Sequence, residues 1–449
     1  MRGGEREGNG ARDRAVAGEA LVLPSRTLTA LTTGALALPG LALPARADSP
    51  IEQASAGYSF SYYAEDDLEK DKFAAGTGSR ERYEVFTNQF EVDLPVSRRM
   101  DAGIDFLYEK MSGASPWYVL PDTDDPTQNV QVMSGATIQE TRYDLTADLD
   151  YYMEEGKDTF SAGFSKENDY VSVHGAMGME RSFAEKNTTL SLSGAYSHDW
   201  ITPVQGRFSD SRQNSGEKWA VDLFAGLSQV LTRSSVAQIT INYKHQGGYL
   251  SDPYKLIAIR NDVNLPDKRP NDKDQISLMA RYRQHITALP EPFAASLHLD
   301  YRFYWDTWAT FSHTFEAAWY QTVWFDWLTI TPGIRYYSQS GAEFYKAILP
   351  GSATASVPHY RSSDFRLSPY GAISGKVKIE AALEDLLDYK ASGAAETFGL
   401  SGGLDLYLAF SYERYISDVD FAMFSVGTAK EAPGLVNFQI FAVTLTGRF

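Results

Sequence analysis

The chain has 449 residues, 22% of them charged, with 58 acidic against 41 basic residues, seven His and no Cys. The missing Cys excludes disulfides, Cys-ligated zinc, iron–sulfur clusters and covalently attached c-type haem. The His are scattered, so no metal and no cofactor is expected. A net charge of −17 argues against a nucleic-acid partner, because phosphate binding needs a basic surface.

Residues 1 to about 20 are polar and charged and fit no export signal. Leu28 to Pro44 then forms an apolar run, preceded by Arg26 and followed by Ala45-Arg46-Ala47. A charged region, an apolar stretch and an A-x-A site make a secretory signal peptide, with Asp48 as the first mature residue. The alternative, a membrane anchor helix, fits less well, because the run is short and Pro39-Gly40 breaks it. No Met occurs between Met1 and Met100, so translation is expected to start near Leu21 to Leu23. The expected organisation is an extension plus signal peptide over 1–47 and one barrel domain over 48–449. Without the six Arg and four acids of 1–47, the remainder carries 35 bases and 54 acids, net −19.

After residue 47 the chain breaks into period-two segments. Tyr58, Phe60, Tyr62 and Ala64 alternate with Ser59, Ser61, Tyr63 and Glu65. Ala102 to Tyr108, Tyr143 to Tyr151, Trp219 to Leu227, Ala237 to Tyr243 and Leu297 to Phe303 repeat the pattern. Such segments run roughly 9–15 residues, where a tilted membrane strand needs about 9–11 and a soluble strand is usually about 5–6. Tight turns are predicted at Pro95–Arg99, Glu154–Asp158, Ala184–Asn187, Leu231–Ser235 and Phe325–Trp327. Long loops are predicted at Asp66–Ser79, Ser112–Thr137, Thr202–Gly216, Gly248–Asn271 and Ser340–Arg361. Short turns on one rim and long loops on the other predict an all-β fold: a closed antiparallel transmembrane β-barrel with periplasmic turns and extracellular loops. The count comes to about 16 strands, with 14–18 tolerable, and an even number puts both termini in the periplasm.

Val377 to Ser392 has helical spacing at Ala382, Leu383, Leu386 and Leu387, which suggests a rim insertion or an irregular strand end. Trp305, Trp308, Trp319, Trp324 and Trp327 gather near strand ends. They read as a lipid-interface girdle, with a sugar-binding track as the alternative. The final segment alternates Phe441, Val443 and Leu445 and ends on Phe449. It is expected to close the barrel against Tyr58 to Ala64 and to act as the sorting signal for the barrel-assembly machinery.

The inward positions carry charge of opposite sign in the two halves. Asp105, Asp144 and Asp148, with Glu91, Asp93, Asp101, Glu109 and Asp150, form an acidic set. Lys244, Arg281, Arg283, Arg302 and Arg335, with Arg366, Lys376 and Lys378, form a basic one, among which Glu316 also lies. Opposed arcs of this kind would lay a field across a pore and orient polar solutes. The competing reading is internal salt-bridging, with Glu316 and Asp300 pairing Arg302 and Arg335.

Tyr301 to Trp308, Ser312-His313-Thr314, Arg335 to Ser340, Phe344-Tyr345, Gly248 to Lys255 and the closing Gly447-Arg448-Phe449 together resemble an uncharacterised bacterial outer-membrane family, domain of unknown function 3570. The resemblance implies an outer-membrane location and brings no catalytic residues. It also implies gene neighbours that include a small lipoprotein, a thioredoxin-like protein and a flavin transferase, hence an extracytosolic redox setting. The chain has no G-x-S-x-G, H-E-x-x-H or P-loop, and lone His313 reads as a structural hydrogen-bonding residue, so no enzyme is expected. The leading expectation is a porin-like channel for small polar solutes in contact with outer-membrane lipid. Behind it stand a scaffold for a lipoprotein or periplasmic redox partner, and a barrel enzyme with a Ser/His/carboxylate site at the outer rim.

Overall fold

A computed structural model describes residues 51, 53–74, 78–134, 138–204, 215–259, 264–290, 293–323, 327–351, 357–383, 405–423 and 432–448. The alternating segments form a closed antiparallel barrel of sixteen strands. Eight rise from the first rim: β1 (Ser55–Glu65), β3 (Met100–Gly113), β7 (Gly156–Lys166), β9 (Thr188–Ile201), β11 (Ser235–Gly248), β15 (Ala295–Asp306), β17 (Leu328–Gln339) and β19 (Asp405–Asp418). Eight return: β2 (Glu84–Ser97), β6 (Ile138–Met153), β8 (Tyr170–Phe183), β10 (Gly216–Thr232), β14 (Asp272–His285), β16 (Phe311–Thr322), β18 (Tyr370–Ala382) and β20 (Phe438–Arg448). Two small hairpins sit in loops: β4 (Pro116–Pro121) with β5 (Asn129–Met133), and β12 (Leu256–Ala258) with β13 (Asn264–Pro266).

Closure is made by β20 against β1, with Tyr58 opposite Leu445, Phe60 opposite Val443 and Tyr62 opposite Phe441. Val443 and Leu445 are exposed on the outer wall, while Phe449 lies outside the described residues. The same outward face continues around the ring as Phe90, Ile104, Leu145, Phe160, Met177, Leu223, Ile239, Ile334 and Phe410, all exposed. Large apolar side chains in a continuous exposed belt, with polar residues between them facing inward, make this a membrane barrel by construction. Trp200 and Trp305 lie near the long-loop ends of β9 and β15, while Trp319 lies near the opposite end of β16. Trp200 and Trp305 are exposed on the lipid side, as an interfacial girdle requires.

Rim asymmetry follows the sequence with two departures. Tight turns join β2 to β3, β6 to β7, β8 to β9 and β10 to β11. Gly156 opens one of them at φ +153°, where a Cβ would fall 1.9 Å from the Glu180 carbonyl oxygen. On the other rim, however, 167–169 and 307–310 are short joins. The predicted helix-like stretch from Val377 is corrected in part: through Ala382 it is the end of β18, paired with Leu328 to Pro332. Residues 384–404 lie outside the described residues.

Candidate functional site: the lumen and its cap

Strand register places the sequence-predicted charges around the interior. Glu91 faces Asp105 across β2 and β3, and Asp93 faces Gly103. Across β3 and β6, Gly103 faces Asp148, Asp101 faces Asp150, and Leu107 faces Asp144. A single transverse row then runs along the opposite wall: Arg281, Asp300, Glu316, Arg335. Arg302 lies one inward step above, between Met279 and Thr314. Arg283 lies one step below, Lys244 lines β11, and Lys376 and Lys378 line β18. In ring order β3 is the third strand and β15 the eleventh, so the acidic and basic arcs stand half a turn apart.

The expected internal pairing is corrected in its partners. Asp300 takes Arg283 bidentately, at 2.5 and 3.1 Å, with Arg281 at 3.9 Å. On the acidic side Asp144 pairs with Arg142 at 3.0 Å and Asp150 with Lys157 at 3.5 Å. Gln89 donates to Asp105 and Thr87 to Glu109. Arg366 is also corrected: it belongs to the loop before β18, not to the wall.

Between the arcs, β7, β8 and β9 turn small residues inward. Ser161 faces Ala176, Ala176 faces Ala195, and Gly178 faces Ser193. A Cβ on Gly163 would lie 2.2 Å from His174 Nε2, so the glycine gives that ring its place. At mid-height this wall is small and uncharged, with Lys157, Glu180 and Asp199 towards its ends.

The long-loop mouth is spanned by a folded cap. Described residues of loops 66–83, 249–271 and 419–437 meet Phe365 of loop 340–369, and Lys255 ties in loop 114–137 through Pro116. Arg82 lies over the Phe365 ring at 5.5 Å and Lys255 at 5.7 Å. Arg82 also pairs with Glu65 at 2.7 Å and donates to the Gly434 carbonyl. Lys255 donates to the Pro116 carbonyl at 2.5 Å. That bond joins a loop rooted at the third and fourth strands to one rooted at the ninth and tenth, so it crosses the mouth. Asp364, 1% exposed, receives Arg269 at 3.0 Å and Arg366 at 2.6 Å, and Arg366 reaches Asp252 at 3.1 Å. Trp308 is corrected from girdle to cap. It is buried against Phe344, Tyr345 and Leu250, and its Nε1 donates to Asp272. Trp324 lies outside the described residues.

The cap's electrostatics predict its pH response. Burial pushes the Lys255 ammonium down to about 8. Burial alone would raise the Asp364 carboxyl, yet Arg366, Lys255 and Arg269 hold it well below the usual carboxylate range. Burial pushes Tyr83, beside the cap, up to about 12. Between about pH 8 and 10 an opened cap binds more protons at Lys255 than the closed one, so closure strengthens as pH rises. Above about pH 10 Tyr83 reverses the slope, because the opened state then releases its proton first. Limited proteolysis of the loops is expected to slow from about pH 7 to 10 and speed up beyond; a monotonic acceleration would contradict it.

Several other polar groups lie near one another within the fold. His313 faces outward and shares a 2.9 Å hydrogen bond with Tyr301. Ser296 and His298 meet at 3.2 Å inside the barrel, near the short-turn rim. The adjacent Asp300 is engaged by Arg283, so the set does not form the arrangement of a Ser-His-Asp triad. Glu140, Glu167 and Asp169 bring carboxylate oxygens within 4.8 Å at the capped rim. Burial pushes Glu167 up to about 7, and Arg142 stands 3.8 Å away.

Residues 28–398 match the family described as Protein of unknown function (DUF3570). No curated protein matches the chain. Among solved structures, a bacterial polysaccharide outer membrane secretin is 8% identical at TM-score 0.45, over 88% of this chain and 98% of that one. CdiB from Acinetobacter baumannii is 10% identical at 0.46, over 88% of this chain and 60% of that one. The outer membrane protein OprD from Pseudomonas aeruginosa is 10% identical at 0.38, over 90% and 96%.

Proposed function

Because the chain belongs to the family Protein of unknown function (DUF3570), whose description assigns no activity, we propose a role from the barrel itself: a capped outer-membrane channel for small polar solutes. The observation that carries this reading is the pair of opposed arcs. Acids on β2, β3 and β6 face bases on β14 to β18 across an interior that β7 to β9 leave wide. Barrels of about 16 strands enclose an aqueous lumen, and a transverse field there orients dipolar solutes rather than excluding them. The cap adds control at the long-loop mouth, read here as the extracellular one. Export by the 1–47 signal and delivery by the assembly machinery, through the outward Phe441, Val443 and Leu445, complete the route to the membrane.

Purified protein in planar bilayers tests the reading. Arg281→Gln with Arg283→Gln removes two positive charges from the basic arc and is expected to shift selectivity toward cations by roughly two- to fivefold, a fraction of a kcal/mol in local potential. Unchanged selectivity would mean that the charges only brace the wall. Absence of conductance under all conditions, including cap variants, would overturn the channel.

A further inference from the structure

We infer that the inward acids at the short-turn mouth, centred on Asp101, form a binding site for an ammonium group, and that its occupant is the α-ammonium which cleavage after Ala47 leaves on Asp48. This rests on the export reading given above and extends it: processing then completes the barrel as well as releasing it from the leader.

The chain ahead of β1 turns inward across the foot of β2. Ile51 donates its backbone N–H to Asp101 Oδ2 at 3.0 Å, although Asp101 lies on β3, two strands from β1 in the ring. Ser55, the first residue of β1, donates its hydroxyl to Asp93 on β2 at 3.1 Å. The entering chain is thus held against the inner wall at the rim where β2 turns into β3. An extended chain covers at most about 3.6 Å per residue, so the three residues from Asp48 to Ile51 keep their two backbone nitrogens within about 11 Å of each other. A terminus at Asp48 therefore stays in the vicinity of Asp101 for as long as the Ile51 bond is made.

Asp101 has room for a cation in its bonding. It is 2% exposed, and its Oδ1 has no hydrogen-bond partner among the described residues. Its other oxygen accepts from Ile51, so the carboxylate faces the arriving chain. Directly across in register stands Asp150, also 2% exposed, and Asp93 lies one inward step away on β2. Asp150 takes Thr159 at 2.5 Å and Lys157 at 3.5 Å. Arg98 and Arg99 are exposed in the turn between β2 and β3. Adjoining buried carboxylates repel, and a buried carboxylate oxygen without a donor is costly. An ammonium brings one positive charge and three N–H donors, which answers both needs through charge-assisted bonds. Before cleavage the same nitrogen is an uncharged amide with a single N–H, so the leader withholds the ligand from its site.

Protein purified from outer membranes tests this in two steps. N-terminal sequencing reads the first residue, expected to be Asp48. Isotope-labelled dimethylation of the α-amine, which keeps its charge, then lets NMR follow its titration in detergent. The native amine is expected to hold its proton at least roughly tenfold more tightly than a free terminal amine. Asp101→Asn, which can still accept from Ile51, should remove most of that gain. Asp122→Asn, on the exposed turn between β4 and β5, should remove none of it. Where Asp101→Asn fails to assemble, a flexible Gly-Ser extension of about eight residues ahead of Asp48 moves the amine off the site at unchanged barrel charge and should have the same effect. A first residue other than Asp48 overturns the cleavage reading and the pairing with it. Asp48 carrying an amine that titrates as a free one, or one indifferent to Asp101→Asn and to the extension, overturns the pairing and leaves the cleavage reading standing.

Discussion

Asp364→Ala is expected to unlock the cap while leaving the barrel closed. The carboxylate is buried and receives Arg269 and Arg366, with Lys255 close enough to help hold it charged. Removing it takes one carboxylate from two guanidinium groups, leaving Arg269 with Asp267 and Arg366 with Asp252, so the cost falls at the low end of the about 3–5 kcal/mol for breaking a buried pair. If that energy falls on the cap alone, its open population rises by roughly two orders of magnitude. Two measurements follow: trypsin should cut loops 249–271 and 340–369 far faster, and bilayer conductance should rise. Heat-modifiable mobility in gels should stay that of a closed barrel, because the cap lies outside the strand ladder. Asp122→Ala, on the exposed turn between β4 and β5, should do neither. Unchanged proteolysis and conductance would show that the hydrophobic contacts around Trp308 hold the cap without the charges.

The second large effect is on the outer wall. Met177 is 65% exposed at mid-height of β8, and Leu223 is 51% exposed on β10. In lipid, Arg at either position should destabilise the barrel by about 2–4 kcal/mol, the cost of a charge near the bilayer midplane. Arg at inward Ala195, opposite Asp222, gains a carboxylate partner and water and should cost less than about 1 kcal/mol. Guanidinium unfolding in liposomes reads the difference. Equal costs on the two faces would mean that the belt does not meet hydrocarbon.

The barrel was legible because its signal is local. Tyr58 to Ala64 or Tyr143 to Tyr151 state in a single segment which side meets lipid, and length separates them from soluble strands. The lumen charges were legible for the same reason, since inward and outward positions alternate along each strand. The cap was not legible. Lys255 meets Pro116 across 139 positions and Arg269 meets Asp364 across 95, and no period in the sequence encodes such meetings. Arg366 therefore looked like a wall residue and Trp308 like a girdle residue. Pairing partners failed similarly: the segment containing Asp300 shows an inward acid, but only register and side-chain reach assign it to Arg283 rather than to Arg302.

The stretches behind the family resemblance gain a physical meaning here. Gly248 to Lys255 and Tyr301 to Tyr345 are far apart in the chain, yet Leu250, Trp308, Phe344 and Tyr345 pack into one cluster, and Lys255 reaches the same cap. Those motifs describe how the mouth is built.

The cap also records the order in which the molecule is completed. Arg82 reaches Gly434 across 352 positions, Asp66 donates its backbone N–H to Asn437, and Arg414 pairs with Asp66. All three straddle the junction of the first and last strands. Bringing such distant segments together carries a large chain-closure entropy, which is offset only after β20 has docked on β1. A chain halted before its final strand would lack these three contacts, so the seam side of the mouth is completed only with the last strand.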